Sequence, residues 1–197
     1  MINGYKIEKS IESIDELIKL AKGYGEIIKQ VDDTLNRGSV EISTRMGINK
    51  YAYKQQSLFP HTDRSSEIIP PKYVILWYES IADYGGEPII FMAGEHLSDY
   101  KNENNFRAHY TSENDGLDQL LPFYDKTKEF FRFRNDAHLY ISASDILKFQ
   151  EIIIRIENNK VILKLENKDC LIIDNRVVFH GRESFLGERL IHRVHVS

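Results

Sequence analysis

His61-Thr62-Asp63 puts two metal-binding side chains two residues apart, and His180 follows the apolar run Val177-Val178-Phe179 far downstream. On a strand, residues i and i+2 point to the same face, so His61 and Asp63 can both reach one metal while Thr62 points away. Of the seven histidines, only His61 has a carboxylate two residues later. Two histidines and one carboxylate form the facial ligand set that binds Fe(II) and leaves coordination positions open. The same set with a water is a zinc site. Each piece also has a plain reading: a surface histidine beside a solvated aspartate, and a core histidine at a strand end. Leu58-Phe59-Pro60 before the pair and Tyr73-Val74-Ile75-Leu76-Trp77-Tyr78 after it put it at the rim of a packed sheet.

Cys170-Leu171-Ile172-Ile173 reads as a buried strand ended by a turn at Asp174-Asn175, and Val177-Val178-Phe179 starts the next strand, which delivers His180. Arg189, Ile191 and Arg193 alternate on a short strand, so both guanidiniums share a face. Arginine pairs bidentately with carboxylates, which suits the binding of a dicarboxylic acid. Ordinary surface charge is the alternative there.

In order and local sequence these segments resemble the taurine dioxygenase and clavaminate synthase-like family of Fe(II)/2-oxoglutarate oxygenases. The residues that carry the resemblance are His61-Thr62-Asp63, Gly85-Gly86-Glu87, Asp174 through Arg182, and Arg189 to Arg193. The resemblance runs from about Gly25 to the C-terminus. It implies that His61, Asp63 and His180 bind Fe(II), with 2-oxoglutarate as co-substrate and O2 as oxidant. It also implies that Arg189 holds the distal carboxylate of 2-oxoglutarate, with Arg193 beside it or facing the substrate. The implied outcome is hydroxylation, desaturation or cyclisation of a small amino-acid-like or natural-product substrate, free or carrier-protein-tethered, with release of succinate and CO2. Asp63 separates the chain from related halogenases, which carry a small residue there. One position departs from the family pattern. Where a Thr or Ser hydroxyl follows Gly-Gly-Glu, this chain has Pro88, which has neither a hydroxyl nor a backbone N–H. Ser80, or a hydroxyl from another strand, is the candidate replacement.

The elements that must position these residues are legible to differing degrees. A helix is predicted over about 13–22, with Ser13 as N-cap, Glu16 at the capping-box position, Ile14, Leu17, Ile18 and Ala21 on one face, and Gly23 and Gly25 ending it. A strand is predicted around Val40-Glu41-Ile42, with apolar runs at 73–78 and 89–93. Glu95 to Tyr124 is polar and reads as loops and short helices, a lid insert by its length. Phe130 to Arg134 resumes the sheet. A second helix, capped by Ser144, covers 144–153, and Val161 to Leu165 is a further strand. This inventory suits a mainly β chain with flanking helices, a double-stranded β-helix (jelly-roll, cupin-like) core in one domain over 1–197, with the helices bracing the outside of the larger sheet.

Composition narrows the classes. With 30 acidic against 26 basic residues and a net charge of −4, the chain lacks the basic excess of a general nucleic-acid binder. A single cysteine, Cys170, cannot form an internal disulfide, which fits a cytoplasmic setting. No apolar run reaches the roughly eighteen residues of a membrane helix, and no signal peptide is evident. Candidate substrate contacts are Arg193, Arg182, Tyr53 and Gln56, with Arg132, Arg134 and Arg107 as further cations that could grip an anionic group. Two other classes stay open: a non-catalytic metal-binding cupin-like module, and a zinc hydrolase using the same three ligands. The Arg189 and Arg193 pair discriminates, since a hydrolase needs no carboxylate clamp after its last ligand.

Overall fold

In the run from Tyr73 to Ser80, both parities are apolar: Val74, Leu76 and Tyr78 alternate with Ile75 and Trp77. Such a strand must be covered on both faces. The structure, a computed structural model, describes residues 4–30, 33, 38–43, 54–102, 105–112 and 116–197. Its strands begin β1 (Tyr5–Glu8), β2 (Val40–Ser43), β3 (Leu58–His61), β4 (Tyr73–Ser80), β5 (Tyr84–Gly85) and β6 (Pro88–Phe91). They continue β7 (Arg107–Thr111), β8 (Asp118–Pro122), β9 (Tyr124–Asp125), β10 (Phe130–Phe131) and β11 (Leu139–Ile141). The last are β12 (Val161–Ile162), β13 (Asp169–Asp174), β14 (Phe179–Arg182), β15 (Phe185–Leu186) and β16 (Leu190–Val196). Helix α1 (Ile14–Lys22) follows β1, α2 (Ala93–His96) follows β6, and α3 (Ile146–Asn159) follows β11.

Two antiparallel sheets face each other, β1-β13-β4-β16-β2 and β12-β6-β14-β3. Val74, Tyr78, Leu171, Ile173 and Ile191 of the larger sheet meet Ile90 of the smaller one in a shared buried cluster. This is the jelly-roll, double-stranded β-helix core expected from the strand pattern. The other parity of the larger sheet, Ile75, Trp77, Cys170, Ile172, Val194 and Val196, packs under Leu17 and Ala21 of α1. Ser13 caps α1, its hydroxyl accepting from the Glu16 N–H at 3.3 Å, while the Glu16 carboxylate accepts from the Glu12 N–H at 2.9 Å.

The second helix departs from expectation. It starts at Ile146 without a side-chain cap, and Ser144 instead sits in a preceding 3-10 turn, its hydroxyl 2.9 Å from that of Ser142. The helix runs on to Asn159 because Phe149, Ile152 and Ile156 share one stripe, and that stripe packs against Phe91 and Phe179 of the smaller sheet. Among the described helices, α1 therefore braces the larger sheet and α3 the smaller one. The stretch 95–124 is also more regular than its polarity suggests. Its strand β7 pairs with β8 on one side and with β11 on the other. Ala108 and Tyr110 are buried while Arg107 and His109 are exposed, so the alternation of a one-sided strand was hidden among charged residues. Val177 and Val178 belong to a turn rather than to β14, both N–H groups donating to the Asp174 carbonyl. Among the described residues no helix is long and apolar enough to cross a membrane.

Among the described residues, Phe130 to Arg134 does not extend either main sheet, since β10 pairs there with β9 alone. The segment serves as a brace. Arg132 is fully buried, and its guanidinium donates to the carbonyl oxygens of Ser65 at 2.6 Å, of Ile68 at 3.2 Å, and of Glu67. It thus pins the loop that follows Asp63 and is not a surface grip for an anion. Arg132→Met leaves these carbonyls without donors, and at about 1–3 kcal/mol per orphaned buried group, less the relief of a buried charge, it costs about 2–4 kcal/mol. A thermal melt should fall by about 5–15 °C for a chain of this size.

Candidate metal centre and its arginine pocket

β3 and β14 are neighbours, and their register sets His61 opposite His180. Pro60 is tolerated because β3 is the edge strand of its sheet. Gly181 lets the two strands approach, since a Cβ there would drive into the Leu58 carbonyl oxygen. Asp63 lies in the turn just after β3 rather than on it, yet its carboxylate still comes back to the histidines. His61 Nε2 is 3.1 Å and His180 Nε2 3.7 Å from Asp63 Oδ1. One ligand atom from each of His61, Asp63 and His180 lies within 4.8 Å of the others.

Hydrogen bonding settles which atoms face inward. His61 Nδ1 is 3.0 Å from the Phe59 carbonyl oxygen, which only accepts, so Nδ1 carries the proton. In the neutral ring, the Nε2 lone pair then faces a carboxylate oxygen at 3.1 Å, an arrangement that calls for a cation between them. Burial pushes His180 down to about 3, which keeps its imidazole neutral and able to act as a ligand. Burial alone would push the Asp63 carboxyl up. The Arg193 charge above all, with the hydrogen bond from His195, outweighs it and holds the group well below the usual carboxylate range.

The two oxygens of Asp63 divide their partners. Oδ2 is 2.8 Å from His195 Nε2 and 3.3 Å from Arg193 Nη1, whereas Oδ1 faces His61 and His180. His195 is itself pushed down to about 4, by burial above all, so it is neutral and must donate through Nε2 to this acceptor. The donor set, two imidazoles and one oxygen of a carboxylate whose other oxygen is held, fits Fe(II) or Zn(II).

Asn175, fully buried, clasps the backbone of Asp63. Its Oδ1 accepts from the Asp63 N–H at 2.9 Å, and its Nδ2 donates to the Asp63 and Pro71 carbonyls at 3.1 and 3.0 Å. Thr62 is held from the other side, its N–H on the Phe133 carbonyl at 2.8 Å and its hydroxyl accepting from the Phe133 N–H at 3.2 Å. Asn175→Ala should therefore reduce metal affinity about 10- to 100-fold, the usual effect of losing a group that orients a ligand. A calorimetric Fe(II) or Zn(II) titration checks this, and Asn175→Asp, which keeps one acceptor, should recover part of the loss.

A cavity of about 440 Å³ opens over these three side chains, and Arg189, Ile191, Arg193 and His195 all line it. The parity expected of Arg189 and Arg193 is thus seen, although Arg189 precedes β16 and a bulge follows Leu190. Their surroundings differ. Arg193 reaches Asp63 and the Gln30 side-chain oxygen, the latter at 3.3 Å. Arg189 is buried over the Phe185 ring, 4.4 Å from its centroid, and burial lowers it to about 10. Arg182 donates to the carbonyls of Gln56 at 2.6 Å, of Glu183 at 3.2 Å and of Lys54, which makes it a strut for the segment before β3. Gln56 is exposed and meets Arg182 through its backbone, and Tyr53 lies outside the described residues. Arg134 pairs bidentately with Asp136 at 2.7 and 2.6 Å, and Arg107 is exposed on β7. Sequence reading missed His195 and Asn175 as partners of Asp63, and Gln30 as a partner of Arg193. His195 had a usable signal, since it shares the parity of Arg193. Asn175 was visible only as a turn residue, and Gln30 had none.

Residues 107–195 match the family described as "Taurine catabolism dioxygenase TauD, TfdA family", a stretch that holds His180, Arg189 and Arg193 and stops short of His61 and Asp63. The resemblance drawn from the motifs is borne out to that extent. No curated protein matches the sequence. Asparagine oxygenase in complex with Fe(II), 2S,3S-3-hydroxyasparagine and succinate superposes with a TM-score of 0.77 at 14% identity, covering 98% of this chain and 74% of that one. The non-heme iron oxygenase OrfP, in complex with Fe, succinate and (3S)-hydroxy-L-Arg, gives 0.73 at 15% identity, covering 93% of this chain and 66% of that one. PvcB from Pseudomonas aeruginosa gives 0.69 at 15% identity, covering 98% and 75%. Against another OrfP structure this chain spans 63% of the length. At these identities the likeness establishes the fold.

Proposed function

We propose that this chain is an Fe(II)- and 2-oxoglutarate-dependent oxygenase acting on a small amino-acid-like substrate, free or tethered to a carrier protein. The observation that carries the reading is the convergence of His61, Asp63 and His180 under a cavity that also holds two buried or half-buried arginines. Fe(II), when bound, supplies the activation of O2 coupled to oxidative decarboxylation of the keto acid to succinate and CO2, with oxidation of the substrate. The protein's own groups do the positioning. Asp63 offers Oδ1 to the metal because His195 and Arg193 occupy Oδ2, and the Phe59 carbonyl turns the His61 ring so that Nε2 points inward. Arg189 meets the distal carboxylate of the keto acid, and Arg193 holds the charge of Asp63 rather than a second ligand. Buried Thr62 and Asn175 keep this wall dry and rigid.

Arg189 favours the oxygenase over a zinc hydrolase or a cupin-like binding module, neither of which needs a cation buried at this depth. Relatives in fold hold hydroxylated arginine and asparagine, which supports an amino-acid-like substrate. The test is a panel of amino acids and their carrier-bound forms, scored by substrate-stimulated succinate release with Fe(II) and 2-oxoglutarate. Succinate formed in step with one of them is the expected result, and no keto acid turnover under any condition, substrate-free included, would overturn the reading.

A further inference from the structure

Two groups hold Asp63 Oδ2, and they are not equivalent. His195 is 1% exposed, and its Nε2 lies 2.8 Å from that oxygen. Arg193 is half-buried and stands at 3.3 Å. It is also drawn the other way by Gln30, whose side chain accepts from Arg193 Nε at 3.3 Å and donates to the Arg193 carbonyl at 3.2 Å. The shorter, drier contact is the one that fixes the carboxylate. The His195 ring also carries a cost. Nε2 must bear the hydrogen, because a carboxylate oxygen only accepts, and Nδ1 is a buried atom without a hydrogen-bond partner among the described residues. An orphaned buried group lowers stability, and an apolar ring in the same place would avoid it. The imidazole is therefore explained by what it does to Asp63 and not by packing. Asp63 needs such a hold. Asn175 clasps its backbone and leaves the carboxylate free to turn about the Cβ–Cγ bond. A carboxylate that turned both oxygens to the metal would take up a position that the facial ligand set otherwise leaves open.

We propose that His195 is a positioning residue that keeps Asp63 a one-oxygen ligand and so preserves an open coordination position. The inference rests on the metal site of the oxygenase reading and needs nothing from the keto acid. Mn(II) is a redox-stable stand-in for Fe(II), and pulsed EPR in D2O counts the waters bound to it. His195→Phe keeps a ring and removes the donor, so Asp63 should chelate and Mn(II) should carry one bound water fewer than in wild type. His195→Gln returns an N–H near the place of Nε2 and should restore that water. An unchanged water count in His195→Phe overturns the inference and leaves the metal site standing. The same loss in His195→Gln also overturns it, because the shape of the ring and not its N–H would then matter. If wild type binds neither Mn(II) nor Fe(II), the metal site itself fails, and this inference with it. Should His195→Phe not fold or not take up Mn(II), wild type and His195→Gln decide. Both must carry all the waters that three protein ligand atoms leave room for. One water fewer in wild type means that Asp63 chelates in spite of His195, which overturns the inference.

Discussion

His180→Ala should abolish Fe(II) binding in calorimetry while the protein still melts cooperatively. His180 would contribute one of three converging ligand atoms, and its loss leaves the proposed site with two. The loss should exceed the roughly 10- to 100-fold expected when only an orienting partner is removed. His61→Ala should behave alike. Asp63→Ala should do more, because it also leaves His195 and Arg193 without their acceptor in a buried wall. Asp63→Glu keeps the carboxylate and changes only its reach, so it should be the mildest of the set. Iron affinity at the wild-type level in His180→Ala would remove the triad assignment.

Arg189→Ala should raise the 2-oxoglutarate requirement by about ten- to a hundredfold, the effect of one charge-assisted bidentate contact, and leave iron binding nearly intact. Arg193→Ala has a different signature. Its guanidinium sits on Asp63 Oδ2 and on Gln30, so its removal should weaken metal affinity before it touches the keto acid. The sequence alone places Arg193 beside Arg189 or facing the substrate, and its contact with Asp63 adds this further role. Titrating each variant with Fe(II) alone and then with 2-oxoglutarate separates the two roles. An unchanged keto acid affinity in Arg189→Ala would move the distal carboxylate elsewhere in the cavity.

The legible parts of this chain are those in which function and periodicity coincide. The apolar runs at 73–78 and 170–173, and the placement of His180 after another, carry the two-sheet core in their alternation. The spacing of His61 and Asp63 needs only a short reach to work, and it survives Asp63 lying in a turn. What stayed hidden depends on contacts between distant segments. Asn175 clasps Asp63 across 112 positions, and His195 reaches it across 132. Arg132 was legible as a cation but not as a buried brace, because burial of a charge against carbonyls leaves no periodic mark. The strands β7 and β8 were obscured by exposed charged residues on their solvent face, and the buried stripe of α3 specified a helix without saying which sheet it covers.

The central claim is that His61, Asp63 and His180 bind Fe(II) with positions left open for a keto acid held by Arg189. The most direct measurement is an anaerobic titration of the Fe(II)-loaded protein with 2-oxoglutarate, followed in the visible spectrum. A weak charge-transfer band should grow to saturation at one keto acid per chain and should not form with Zn(II) or in Asp63→Ala. Tight Fe(II) binding with no band at saturating 2-oxoglutarate would contradict the claim.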